Sequence, residues 1–160
     1  MTQPWSDLRA MNRTMTARLL SQPPQPPADP GVALRVLQVT GRRTGAPTRT
    51  PLGLLVEGGN WFLVSPDATR DWVLNLRAAG AAVLRGGYES VPVTADELDG
   101  TRAAAAVVSY LGLITAPWAV AAFAVPRGAG IEELARDHLH RMAVFSVTPD
   151  WNLAVGYSPV

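Results

Sequence analysis

An α+β fold is what this sequence predicts, with about six short antiparallel strands closing into a small barrel and helices set around it. Three observations lead there. Strand-length apolar runs recur between Gly-rich turns across the first two thirds of the chain. One of those turns carries an arginine pair between two β-like runs. Helical patterns come late, after most of the strands, which suits helices packed on a sheet rather than alternating with it.

The elements follow in order. Leu8, Met11, Met15 and Leu19 recur at helical spacing, so Trp5 to Leu20 reads as a modest amphipathic helix. Gln22 to Pro30 holds five prolines and reads as an extended linker. We therefore expect residues 1–30 to form a helix and linker, and residues 31–160 a single barrel domain. Val32–Thr40 and Arg49–Glu57 are strands, and Gly58-Gly59-Asn60 turns the chain into Trp61–Ser65. Thr69 or Asp67 can cap a helix over Arg70–Ala79, which Gly80 stops. Ala81–Arg85 and Glu89–Thr94 pair around Gly86-Gly87. Asp96–Leu113 and Ile131–Arg141 read as helices, with Asp96-Glu97 and Glu132-Glu133 in first turns where they complement the dipole. Met142–Thr148 is the closing strand.

The richest segment is Gly41-Arg42-Arg43-Thr44-Gly45, between the runs Val36–Thr40 and Leu52–Val56. Gly41 and Gly45 can take the positive φ that a tight turn needs. Arg42 and Arg43 offer planar forks that fit phosphate or carboxylate. A solvated hairpin tip is the plainer alternative.

Composition narrows the chemistry. The net charge of +1 gives no global field suited to DNA or an anionic membrane, so no nucleic-acid partner is expected. No lysine is present, which excludes Schiff-base chemistry through a lysine amine. No cysteine is present, which excludes disulfides and thiolate catalysis. His138 and His140 stand two apart on a helical pattern and so point to different faces, which disfavours a shared metal; none is expected. There is no G-x-S-x-G, no H-E-x-x-H and no G-x-G-x-x-G opening a βαβ unit. Residues 1–20 lack the apolar core of a signal peptide, so a cytoplasmic location is expected. Ala103 to Val125 carries no charge, but alanine dominates it and Pro117 splits it. Two short buried or groove-lining helices are expected there, and a peripheral membrane contact near Leu111 to Phe123 stays open.

What remains cannot perform nucleophilic catalysis alone, but it can hold a cofactor that brings its own chemistry. Gly41-Arg42-Arg43-Thr44-Gly45, Thr50-Pro51-Leu52, Phe62-Leu63-Val64-Ser65 and Trp72-Val73-Leu74-Asn75-Leu76-Arg77-Ala78-Ala79-Gly80 together closely resemble the deazaflavin-dependent nitroreductase family. These are mainly actinobacterial split β-barrel proteins that use coenzyme F420. Met142–Val147 resembles that family's closing strand.

The resemblance implies roles. Arg42, Arg43 and the backbone at Thr44 would hold the phosphate and glutamyl tail, with Thr48 and Arg49 beside them. Pro51, Leu63, Val64, Trp72, Asn75 and Leu76 would line the cofactor, and Ser65 would approach its ring. Trp72 and Leu76 also satisfy a core-facing i, i+4 pair. Ser65 and Tyr110 are the candidate catalytic hydroxyls. Leu111, Ile114, Trp118 and Phe123 would wall an apolar acceptor. Two positions depart from the family pattern: Pro66, where a basic residue is usual, and Gly53, where an aromatic is frequent. The expected activity is hydride transfer to a small, hydrophobic, electron-poor acceptor such as a quinone, enone or nitroaromatic. Alternatives are a redox-neutral cyclase or isomerase, a flavin- or lipid-binding protein without turnover, and FMN in place of the deazaflavin. Monomer and homodimer are both open.

Overall fold

The computed structural model describes residues 4–153, with side chains from Asp7 onward. Helix α1 (Pro4–Ser21) comes first, and the proline-rich segment then leads into β1 (Gly31–Thr40). Strands β2 (Pro47–Glu57) and β3 (Asn60–Ser65) follow, then helix α2 (Asp71–Ala79), β4 (Ala81–Gly86) and β5 (Glu89–Glu97). Helices α3 (Gly100–Leu113), α4 (Pro117–Ala121) and α5 (Ile131–Asp137) precede the last strand, β6 (Ala143–Pro149). The six strands close into an antiparallel barrel in the order β1-β2-β3-β6-β5-β4. Closure comes from β1 against β4, where Leu37 faces Leu84.

Period-two alternation sorts the strand residues into two layers. Leu37, Leu54, Leu63, Val93 and Phe145 point into the barrel and are buried. Leu55, Val64 and Val144 point outward, where Ala103, Val107 and Leu134 of the late helices cover them. Helix α2 closes one barrel mouth. Trp72, Val73 and Leu76 are buried with the interior cluster, the i, i+4 stripe that a short plug needs. Gly80 ends α2 in the left-handed conformation, its N–H donating to Leu76 O at 2.8 Å. Arg77 pairs with Glu97 at 2.7 Å and fastens the plug to β5.

Three local expectations change. The helix expected from Asp96 begins only at Gly100, because Asp96 and Glu97 pair with Ser146 and Phe145 in the β5–β6 ladder. The helix expected to reach Arg141 ends at Asp137 and resumes as a 3₁₀ turn over Leu139–Arg141; Glu132 and Glu133 do lie in the first turn of α5. Neither Thr69 nor Asp67 caps α2; its N-cap is Arg70, without a side-chain cap bond. The Asp67 carboxylate instead accepts from the Thr69 hydroxyl and N–H, at 2.6 and 2.8 Å, and those bonds hold its pKa below the usual carboxylate range. The uncharged stretch does break at Pro117, the first residue of α4. No helix among the described residues is long and apolar enough to cross a membrane.

Candidate functional site

The arginine turn is built from its own backbone. The Gly41 N–H donates to Ala46 O at 2.8 Å and the Gly45 N–H to Gly41 O at 2.9 Å. Gly45 takes the expected positive φ, 72°. Gly41 does not; it is needed for space, since a Cβ there would meet Thr44 Oγ1 at 3.0 Å and Ala46 O at 3.2 Å. Thr44 Oγ1 accepts from the Ala46 N–H, and the Thr48 hydroxyl donates to Val39 O. Both threonines thus shape the turn with their side chains.

Arg42 is fixed to α2. Its backbone N–H and its Nη1 both donate to Asn75 Oδ1, at 3.1 and 2.8 Å, and its Nη2 reaches Asp71 at 3.2 Å. Asn75 is 4% exposed, so a buried amide oxygen registers the turn on the plug. Arg43 is exposed and outside the ion pairs found among the described residues. A second cationic group assembles next to the turn. Arg49 Nε and Arg85 Nη1 both donate to Gln38 Oε1, at 3.1 and 3.2 Å. Arg85 Nε is buried with no hydrogen-bond partner. Sequence reasoning missed Arg85 and Gln38. The available signal was a lone charge in the otherwise apolar run Ala81–Gly86.

From Arg49 the outward positions of β2 run through Pro51 to Gly53 and Leu55. Gly53 has no room for a side chain: a Cβ would stand 2.7 Å from Val32 and 3.1 Å from the Tyr110 hydroxyl. That contact accounts for the departure from an aromatic at this position, because the Tyr110 ring of α3 occupies the space. Tyr110 packs on Phe123 with ring centroids 5.7 Å apart. Burial pushes its phenol above the usual tyrosine range, and the positive charge of Arg70 pulls it partly back. The outer wall of β2 therefore grades from guanidinium groups to a half-buried phenol among apolar side chains, with Arg70 near enough to act on it.

The other candidates divide. Ser65 is 1% exposed; its hydroxyl donates to Asp67 O at 2.8 Å and accepts from the Asp67 N–H at 3.2 Å, closing the loop before α2. Leu63, Leu76 and Trp72 lie in the barrel interior, with Trp72 tilted against Phe145 at 6.2 Å. The Trp72–Leu76 pair thus takes its core-facing alternative, while Asn75 turns to Arg42. Val64 is buried in the outer layer. Phe123 is buried, Leu111 and Ile114 are half-buried beside it, and Trp118 stands in solvent. His138 bonds Arg141 at 3.0 Å, and no metal-binding cluster occurs among the described residues.

The sequence model of the F420H(2)-dependent quinone reductases matches residues 9–119. The chain belongs to that family. It is an F420H2-dependent reductase, and F420H2 is its cofactor. A solved structure described as a domain-swapped dimer superposes on the reductase with a TM-score of 0.51 at 20% identity, covering 89% of this chain and 94% of that one. One described as an F420-H2 dependent reductase gives 0.47 at 19%, covering 78% and 99%. A conserved hypothetical protein from Mycobacterium tuberculosis gives 0.46 at 15%, covering 72% of each. The first of these supports the barrel fold. No curated protein shows a match to the reductase.

Proposed function

We propose that this reductase serves an apolar, electron-poor acceptor of the quinone, enone or nitroaromatic class, bound at the uncharged end of the outer β2 face beside Tyr110. The single observation that carries this reading is the gradient along the outside of β2. At one end Arg43, Arg49 and Arg85 present guanidinium groups outside the ion pairs of the described residues, one of them with a buried donor nitrogen left unpartnered. At the other end lie Pro51, Gly53, Tyr110 and Phe123, which carry no charge.

That donor set fits a cofactor with an acidic tail, since guanidinium groups bind phosphate and carboxylate as planar forks. Arg43, Arg49 and Arg85 would hold the tail, with Arg42 fixed by Asn75 so that the turn keeps its shape. When bound, reduced F420 supplies a hydride. The protein's part is to orient and to exclude water. The absent side chain at Gly53 lets the Tyr110 hydroxyl lie close against β2. A tyrosine is protonated at neutral pH in any case, and burial raises its pKa further; in this reading Tyr110 would give a proton to a reduced acceptor. Ser65 closes the loop before α2 in this reading.

Fluorescence titration with F420 and steady-state reduction of menadione test it. The double variant Arg43→Ala/Arg49→Ala is expected to lose about a hundredfold in F420 affinity, as two charge-assisted contacts imply. Tyr110→Phe is expected to bind F420 normally and to lower kcat about tenfold or more. Affinity unchanged in the double variant would overturn the assignment of the tail site.

A further inference from the structure

The barrel mouth opposite α2 is not filled. A cavity of about 410 Å³ lies there, within the range of small-ligand pockets. Leu54, Trp61, Leu84 and Val91 form its apolar wall, and Pro24, Pro26 and Pro27 of the segment after α1 lie over it. Arg35 reaches in from β1.

Arg35 is the informative residue. It is only 8% exposed, yet it belongs to none of the three ion pairs among the described residues, which are Arg42–Asp71, Arg77–Glu97 and Arg136–Asp137. Its Nη1 donates to Leu34 O at 2.8 Å and its Nη2 to Gln25 O at 2.7 Å. Both acceptors are neutral carbonyls, and a guanidinium carries five N–H donors. A buried charge without a counter-charge is costly. The acid lining the same cavity, Glu89, is exposed at the rim; its attraction does not offset the burial of Arg35, whose pKa is lowered. The function derived above uses neither this cation nor this cavity.

We propose that the cavity binds a small apolar monocarboxylate, its carboxylate on Arg35 and its tail among Leu54, Trp61, Leu84 and Val91. The apolar wall excludes a polyanion, and the single cation calls for a single negative group. Because the arginine turn sits at the α2 mouth, this site is separate from the one that holds F420.

Calorimetric titration of the full chain with octanoate and with octanol tests the proposal. Octanoate is expected to bind saturably, one per chain, about tenfold or more tighter than octanol. Arg35→Met is expected to remove that preference while leaving F420 affinity as in wild type. Val91→Trp fills the cavity from a half-buried position and is expected to abolish binding of both probes; thermal melts confirm that each variant is folded. If Arg35→Met does not fold, Arg35→Lys with the Val91→Trp arm carries the test, and retention of acid preference in the lysine variant is expected. Absence of saturable octanoate binding, equal affinity for the alcohol, survival of binding in Val91→Trp, or displacement of octanoate by F420 would each overturn it. None of these outcomes bears on the Arg43 and Arg49 test of the cofactor site.

Discussion

At one mouth of the barrel, α2 drives Trp72, Val73 and Leu76 between the strands. At the other, a run of prolines lies over Arg35 and leaves a void beneath it. The two closures differ because their backbones do. A helix satisfies its own main chain and can present a dense apolar stripe to the interior. Proline has no N–H and a short ring, so a proline-rich strap neither fills a barrel nor donates to its rim. It fastens through acceptors instead. Gln25 O takes Arg35, Leu19 O at the end of α1 takes the Gly87 N–H, and the Asp29 carboxylate takes the N–H groups of Gly58 and Gly59 at 2.7 and 2.8 Å. One mouth is filled by packing as well as bonded, and the other is held by hydrogen bonds over a void, so they should fail differently.

The largest contrast is expected between two tryptophans. Trp72→Ala removes a buried ring from the plug and should cost about 3–5 kcal/mol in chemical denaturation. Trp61→Ala, half-buried against the cavity, should cost less than about half of that, because its site already borders empty space. Equal losses would mean that both mouths are packed alike. Next comes the latch. Asn75→Ala strips two donors of Arg42 of their shared acceptor and should cost about 1.5–3 kcal/mol. It should also weaken F420 binding by loosening the turn; a stability loss with unchanged affinity would separate the plug from the cofactor site. Asp29→Ala should cost about 1 kcal/mol. Its sharper signature is faster amide exchange at Gly58 and Gly59, with α2 unaffected.

The smallest effect is a titration on the outer wall. Burial favours neutral Tyr110, so the folded state holds that proton to higher pH than the unfolded chain does. The associated stability is complete below the ordinary tyrosine value of about 10 and is lost as pH rises through the folded value. Spectrophotometric titration should show one tyrosine ionising above the ordinary tyrosine range, and Tyr110→Phe should remove that late step.

Much of the barrel is legible in the sequence because period-two alternation and glycine turns are local signals. Strands 31–40 and 47–57, the turn between them and the stop at Gly80 lie within a residue or two of expectation. The fate of side chains at the site is less legible, because it depends on partners far along the chain. Ser65 reads as a free hydroxyl until the loop to Asp67 folds around it. Nothing local to Trp72 announces that barrel closure will give it Phe145, more than seventy residues on, as its packing partner. Gln38 lies across the hairpin from Arg49 and could have been paired by counting, but Arg85 joins them only because β4 closes on β1. Asp96 and Glu97 look like a helix start until β6 arrives to pair with them.

The missing side chain at position 53 reaches beyond packing. With Val32 Cγ1 2.7 Å from where a methyl would stand and the Tyr110 hydroxyl 3.1 Å from it, these positions cannot drift independently: a methyl gained at 53 requires first a smaller group at 32 on the neighbouring strand. Gly53 and Val32 should therefore behave as an epistatic pair. Gly53→Ala, harmful alone, should be partly rescued by Val32→Ala. A lineage that acquires bulk at one of these two strand positions would shed it at the other, and the wall would keep its thickness while its sequence changed.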